Sequence, residues 1–310
     1  MRARPSLQLR TVAVLAALHP AAPWCSTTVP LYTPPRHLHR RRAAVHPALA
    51  VEKATAESGA VDRVADEAPK HLSAPRVAGM DMHLGGRSIG TKRVRQHVNP
   101  LRSNHQQPLS LPERWPEQYF ADPSLPLHLD IGCARGLFCL DHAAMHPDIN
   151  ILGLEIRKPL VDEASKDAKA LSLGNCAFLT SNANVHLDTI CEGVRPCTGG
   201  LASASVQFPD PWFKARHHKR RVMQPELARA LAANILPGGW LLVQSDVLEV
   251  AEAMREVLRE HASGLLADAR DDFEDWGVDK PPTLTSLPTE REIAGEKLGR
   301  PVYRALFVRK

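Results

Sequence analysis

Residues Phe208-Pro-Asp-Pro-Trp-Phe-Lys-Ala-Arg-His-His-Lys-Arg-Arg221 bring three kinds of chemistry into one short run. Asp210 stands between two prolines, whose rings limit the backbone freedom around the carboxylate. Trp212 and Phe213 follow as aromatic faces on which a splayed base can stack. Lys214, Arg216, Lys219, Arg220 and Arg221 then supply dense positive charge of the kind that meets phosphates. A rigid acid, stacking faces and a cationic run together describe an active-site loop that touches a nucleic acid. His217 and His218 read as polar loop residues, not as metal ligands.

A second group of telling residues lies upstream. Asp130-Ile-Gly132-Cys-Ala134-Arg-Gly136 closes a short apolar strand with alternating small residues, which allow a tight turn and the close approach of a ligand. A dinucleotide fingerprint needs G-x-G-x-x-G. Here Ala134 takes the middle position, and Phe138 and Cys139 stand where the third glycine should be. That spacing argues against a nicotinamide dehydrogenase. The acid two residues before Gly132 suits a cationic group better than a pyrophosphate. Glu155 and Ile156 end the next apolar strand, where an acid can accept both hydroxyls of an adenosine ribose. Ser181-Asn182-Ala183 ends a third, and Asn182 can both donate to and accept from an adenine edge.

To converge, these groups need strand ends set side by side, and the apolar pattern provides them. It predicts strands over 127–132, 151–156, 176–179, 201–208, 240–246 and 302–308, with helices over 136–146, 160–171, 225–236 and 248–261. Pro237-Gly238-Gly239 stops the third of these helices. Strands alternating with helices imply an α/β fold with a mostly parallel sheet covered on both faces. Ligands in such sheets sit at the carboxyl ends of the strands.

The chain has 310 residues, 44% of them apolar, which is enough for a sizeable core. The net charge of +5 is unevenly spread: no acid precedes Glu52, while Arg2, Arg4, Arg10, Arg36, Arg40, Arg41 and Arg42 do. Residues 1–85 therefore read as a targeting leader and a disordered linker. A plastid destination is favoured, with the mitochondrion as the alternative. Residues 86–124 read as a basic arm, lying either on phosphates or beside the active site, and 125–310 as the catalytic domain. The six cysteines include no C-x-x-C pair and no common zinc spacing, so buried thiols are expected and no metal. No apolar run is long enough to span a membrane.

The Asp130–Gly136 run resembles motif I of the S-adenosylmethionine-dependent methyltransferases. Phe208-Pro-Asp-Pro-Trp with Lys214, Arg216, Lys219, Arg220 and Arg221 is similar to the signature of the tRNA (guanine-N7)-methyltransferases, the TrmB-like family. Gln244-Ser245-Asp246 resembles the end of that family's fifth strand, and Thr289-Glu-Arg-Glu292 its T-x-x-E element. Arg95-Gln-His97-Val-Asn99-Pro100-Leu101 looks like the arm that precedes the fold in eukaryotic members. Three positions depart from the pattern: Asp130 for Glu, Ala134 for Gly, and Arg291 for an aromatic residue.

The resemblance implies a Rossmann-like methyltransferase fold with a seven-stranded, mostly parallel sheet. It implies S-adenosylmethionine at Asp130, Gly132, Glu155, Ile156, Asn182, Ala183 and Asp210. Lys214, Asp246, Thr289 and Glu292 would hold the base, Asp210 would be catalytic, and Arg216, Lys219, Arg220 and Arg221 would meet tRNA phosphates. The expected target is N7 of a variable-loop guanine, position 46, in tRNA, the partner that the resemblance implies. Both a monomer and a complex with a partner subunit fit. The rival readings are a methyltransferase of another substrate and a non-catalytic tRNA-binding protein.

Overall fold

The computed structural model describes residues 97–270, 272 and 275–310. The leader and linker expected over 1–85, and the front of the basic arm, lie outside these residues. One sheet contains β1 (Leu127–Ile131), β2 (Asn150–Glu155), β3 (Cys176–Thr180), β4 (Leu201–Gln207), β5 (Ile235–Ser245), β6 (Leu266–Asp268) and β7 (Tyr303–Arg309). Their order is β3-β2-β1-β4-β5-β7-β6. The first five are parallel, and β7 runs antiparallel to both neighbours. This is the Rossmann-like, seven-stranded arrangement that the family resemblance implies; the apolar pattern gave six of the strands and missed the short β6.

The helices are α1 (Pro116–Tyr119), α2 (Leu137–Met145), α3 (Lys158–Ala170), α4 (Ala183–Thr198), α5 (Pro225–Asn234), α6 (Leu248–His261) and α7 (Glu290–Lys297). Side chains of α4, α5 and α6 join one core with Leu127, Leu129 and Ile131. Those of α2 and α3 join a second core that includes Leu242 and Leu306. The chain leaves β1 toward β2 and β3, then returns so that β4 lies on the other side of β1. The reversal opens a crevice at the carboxyl ends of β1 and β4, the usual ligand position in such sheets.

Strand β1 keeps its apolar residues on one face and turns His128 and Asp130 to the other, both buried. There they meet Ser203 and Ser205 of β4. Ser205 donates its one proton to Asp130 Oδ1 at 2.6 Å. Its 3.0 Å contact with His128 Nε2 therefore needs a proton on that nitrogen. Neutral His128 then accepts from Ser203 through Nδ1, at 2.7 Å. A polar seam thus runs beneath the crevice, and it starts from the tip of β1.

Three features differ from the sequence reading. Helix α4 was not among the predicted elements, because Gly193 and Pro196 interrupt it. Its buried Leu187, Ile190, Cys191 and Val194 nevertheless hold helical spacing. Gly193 is small for a reason: a Cβ there would come 2.3 Å from Trp115 Cδ1. Second, the helix expected to reach 236 ends at Asn234, and Pro237-Gly238-Gly239 lies inside β5 as an irregularity in its pairing with β4. A Cβ on Gly239 would sit 2.5 Å from the Ala202 carbonyl oxygen, so that close backbone approach needs glycine. Third, the domain begins before 125. Trp115 and Phe120 belong to the main core, and Trp115 Nε1 donates to the Ile190 carbonyl at 3.0 Å.

Candidate active site

At the tip of β1 the backbone turns through Gly132 at φ +83°, Ala134 at φ +50° and Gly136 at φ +74°. No atom lies within 4 Å of where a Gly132 Cβ would stand, so the strand end faces open space. Asp130, below it, accepts from Ser205 at 2.6 Å and from Gln207 Nε2 at 3.2 Å, and Cys139 Sγ lies 3.7 Å from Oδ2. Burial nonetheless pushes its carboxyl above the usual range, against the pull of those donors. A cation brought beside it would relieve that cost.

Glu155 closes β2 and is buried. Arg157 Nε donates to its Oε1 at 3.0 Å, Arg157 Nη2 to Oε2 at 2.8 Å, and the Arg157 backbone N–H to Oε1 at 3.0 Å. Two bonds fall on Oε1 and one on Oε2, so Oε2 keeps acceptor capacity. The Arg157 guanidinium also lies in the field of Asp210. It links the expected ribose acid to the loop acid, and it had no signal in the sequence beyond its position after Glu155 and Ile156.

Asn182 opens α4 as its N-cap, with Oδ1 accepting from Asn184 N–H at 3.3 Å. Its amide nitrogen donates to the carbonyls of Pro100 and His105, at 3.2 and 3.1 Å. Here the structure departs from the expected adenine contact, because the amide is spent on the arm. His186 makes a further arm contact: its Nδ1 accepts from the Asn182 N–H, so Nε2 carries the proton that reaches the Gln107 carbonyl at 2.8 Å. The described residues of the arm thus pack beside the site.

The loop after β4 is held by two non-glycine residues in the left-handed region, Phe208 at φ +51° and Trp212 at φ +42°. Such positions are strained and cluster at functional sites. Between them Asp210 projects into solvent, its side chain 44% exposed, with His97 Nδ1 3.1 Å from Oδ2. His97 also sits edge-on to Trp212, and the Arg220 guanidinium lies over the same indole, 5.1 Å from its centre. Phe213, Lys214, Arg216 and Lys219 are exposed. Arg221 is not, which corrects the expectation that it meets phosphate. Its Nε donates to the Pro211 carbonyl at 3.0 Å and its Nη2 to Glu249, so it ties the loop to α6.

The opposite wall is occupied by internal partners. Asp246 is largely buried and accepts from Arg291 at 3.0 Å (Nε) and 2.8 Å (Nη2), with Arg300 Nη1 at 3.6 Å. The unusual Arg291 thus replaces an aromatic contact with an ion pair. Thr289 and Glu292 form a capping box at the start of α7. Glu292 also pairs with Lys280 Nζ at 2.7 Å and Arg304 Nη2 at 3.0 Å. Burial pushes Glu292 up, but Lys280, the Thr289 N–H and Arg304 outweigh it and hold the carboxyl below its usual range. Thr289 and Glu292 were expected to hold the base. In this structure their side chains fix α7 instead.

Cys133, Cys139, Cys176 and Cys191 are buried free thiols, and Cys197 is half-buried. Among the described residues no group of histidine, cysteine or acidic side chains is arranged to hold a metal ion. No helix among them is long and apolar enough to cross a membrane.

A family model described as "Putative methyltransferase" matches residues 124–305. Over 218 residues the chain is 49% identical to a tRNA (guanine-N(7)-)-methyltransferase of Synechococcus elongatus, covering 70% of this chain and 97% of that protein. It is 48% identical over 216 residues to one of Synechococcus sp. strain WH7803, covering 70% and 87%. A third, of Microcystis aeruginosa, is 45% identical over 215 residues, covering 69% and 97%.

Proposed function

This chain belongs to the tRNA (guanine-N7)-methyltransferases, S-adenosylmethionine-dependent enzymes, and from that premise we propose that Asp210 orients a variable-loop guanine of tRNA for transfer to N7. The observation that carries the reading is the Asp210 carboxylate itself: solvent-facing, set between two strained backbone positions, and placed beside the open tip of β1 by the pairing of β4 with β1.

The cofactor's fit rests on three features. Gly132 faces open space that a Cβ would enter. Asp130 is a buried carboxylate whose ionised form a cationic amino group would favour. Glu155 retains acceptor capacity for a ribose hydroxyl. Ile156 follows it, and Asn182 and Ala183 lie at the head of α4. When bound, S-adenosylmethionine supplies an electrophilic methyl group on a sulfonium.

Guanine N7 carries an in-plane lone pair and no proton, so the chain need not supply a general base. What it must supply is orientation and a counter-charge for the positive charge that grows on the base. Asp210 does both: its carboxylate accepts from the N1–H and N2 edge and offsets the developing cation. Lys214, exposed next to it, holds the nucleotide. Arg216, Lys219 and Arg220 form the phosphate-facing surface. Asp246, steadied by Arg291, closes the far side. For location we propose a plastid, on the acid-free, arginine-bearing front of the sequence; a fluorescent fusion of residues 1–85 that stays in the cytosol would refute it.

Asp210→Ala should lower tRNA methyl transfer by about a hundredfold or more, while affinity for S-adenosylmethionine stays within about threefold, since Asp130 and Glu155 remain. Mapping N7-methylguanosine in the product tRNA tests the site of transfer. Near-normal turnover of the variant, or a methyl group on another atom, would sink the reading.

A further inference from the structure

One polar ladder crosses the carboxyl end of the sheet from Asp130 to α7. Gln207 of β4 lies directly opposite Gln244 of β5, and Gln244 directly opposite Arg304 of β7. Directly paired residues present their side chains on one face. Arg304 Nε donates to Gln244 Oε1 at 2.8 Å, and Gln244 Nε2 donates to Gln207 Oε1 at 2.8 Å. Gln207 Nε2 then donates to Asp130 Oδ1 at 3.2 Å. At the far end Arg304 Nη2 reaches Glu292 Oε1 at 3.0 Å.

The two ends fix the direction of every bond. Arginine can only donate and an ionised carboxylate can only accept. Neither amide can therefore turn over without setting oxygen against oxygen. Gln244 is fully buried, and Leu242 and Leu306 flank the ladder in the same layer as ordinary core residues. Two amides and a guanidinium in that place gain the sheet little that leucine would not. What they add is a fixed path from a guanidinium at one end to the acid beneath Gly132 at the other.

We propose that Gln207, Gln244 and Arg304 are positioning residues that hold the Asp130 carboxylate and the Glu292-bearing helix in one register. Cofactor affinity then depends on a side chain two strands away from the cofactor acid. The proposal rests on the reading that Asp130 serves S-adenosylmethionine.

The test uses the full chain and calorimetric binding of S-adenosylmethionine, with a thermal melt of each variant. Gln244→Glu keeps an acceptor for Arg304 but has no N–H for Gln207. The Gln207 amide must then turn over and point its oxygen at Asp130. Affinity should fall about tenfold, the scale of one hydrogen bond to a charged group. Gln207→Met, at a half-buried position, removes the same link without adding charge and should give a similar loss; it stands in if the first variant does not fold. Arg304→Met should weaken binding severalfold from the far end. A role confined to packing would lower the melting temperature and leave affinity unchanged, so folded variants that bind within about twofold of the parent overturn the ladder. Asp130→Asn separates the two layers of inference. If it leaves affinity unchanged, the cofactor reading of Asp130 fails and the ladder with it; if it weakens binding while Gln207→Met does not, the ladder alone fails.

Discussion

Mild acid should destabilise this protein through two histidines at the heart of the fold. His128 and His142 are each 1% exposed, and their rings stack 5.3 Å apart. Burial holds His128 well below the usual imidazole range, with His142 and His146 adding to the effect. Burial likewise lowers His142 to about 3, helped by His146. The unfolded chain therefore binds protons that the folded chain refuses, and stability falls as the pH drops below about 6.5. Between about pH 7 and about pH 5.5 each histidine should cost about 1.2 kcal/mol, or about 2.5 kcal/mol together. That figure does not depend on how low the folded values lie, provided both stay well below the acidic end of the window. It is a large share of a total stability of about 5–15 kcal/mol. Glu292 is held below its usual range and titrates outside the window.

The perturbation that isolates the effect is His142→Leu. His142 Nδ1 is buried without a hydrogen-bond partner, so an apolar side chain should be tolerated at neutral pH. Thermal melts of parent and variant at both pH values give the answer by difference, which cancels every group the two proteins share. The parent should lose about 5–10 °C over the window and the variant about half of that. Equal losses would show that His142 does not resist protonation in the fold, and the reasoning from burial would fail.

Four further outcomes follow from the loop, the arm and the cofactor turn. Replacing Arg216, Lys219 and Arg220 together with alanine should flatten the salt dependence of the tRNA KM, by about 0.7–0.9 in log–log slope for each phosphate no longer neutralised. Arg221→Ala should leave that slope alone and lower the melting temperature, because Arg221 binds Pro211 and Glu249; the reverse pattern would refute the division. Ala134→Gly should raise stability by up to about 1 kcal/mol, since φ +50° strains alanine but not glycine; a chemical denaturation midpoint that falls would contradict it. His97→Ala should lower kcat by about threefold to tenfold with unchanged cofactor affinity, the scale of a half-exposed contact to a carboxylate; an unchanged kcat would mean that the arm contact is idle.

Much of the site was legible because its chemistry is local in sequence. Asp130 to Gly136 is one turn, Phe208 to Arg221 one loop, and Glu155 one strand tip. Each motif carries its residue types and spacing on its face, and alternating strands and helices place all three at the same sheet edge. The less legible parts depend on packing. Nothing in the run of basic residues distinguishes Arg221 from Arg220, yet one turns inward to Glu249 and the other lies over Trp212. His97 and Asp210 are far apart in the chain, and the arm's anchorage on Asn182 and His186 helps bring them together. Helix α4 hid behind Gly193 and Pro196, whose poor helix propensity is overridden by the fit of Trp115 against Gly193.

Register is the hardest property to read from one sequence, and here it decides which side chains meet Asp130. Pro237-Gly238-Gly239 looks like a helix stop, yet the chain has already entered β5 at Ile235. The pairing with β4 shifts across that segment, from Leu201 opposite Ile235 to Ser203 opposite Trp240. The shifted register then runs on without change to set Gln207 opposite Gln244. A slip of one residue would bring Val243 or Ser245 to that place, and the chain of donors from Arg304 would stop short of Asp130. Gly239, which allows the close approach to Ala202, thus acts at a distance: it helps fix a register whose consequence is felt several residues later, under the open tip of β1.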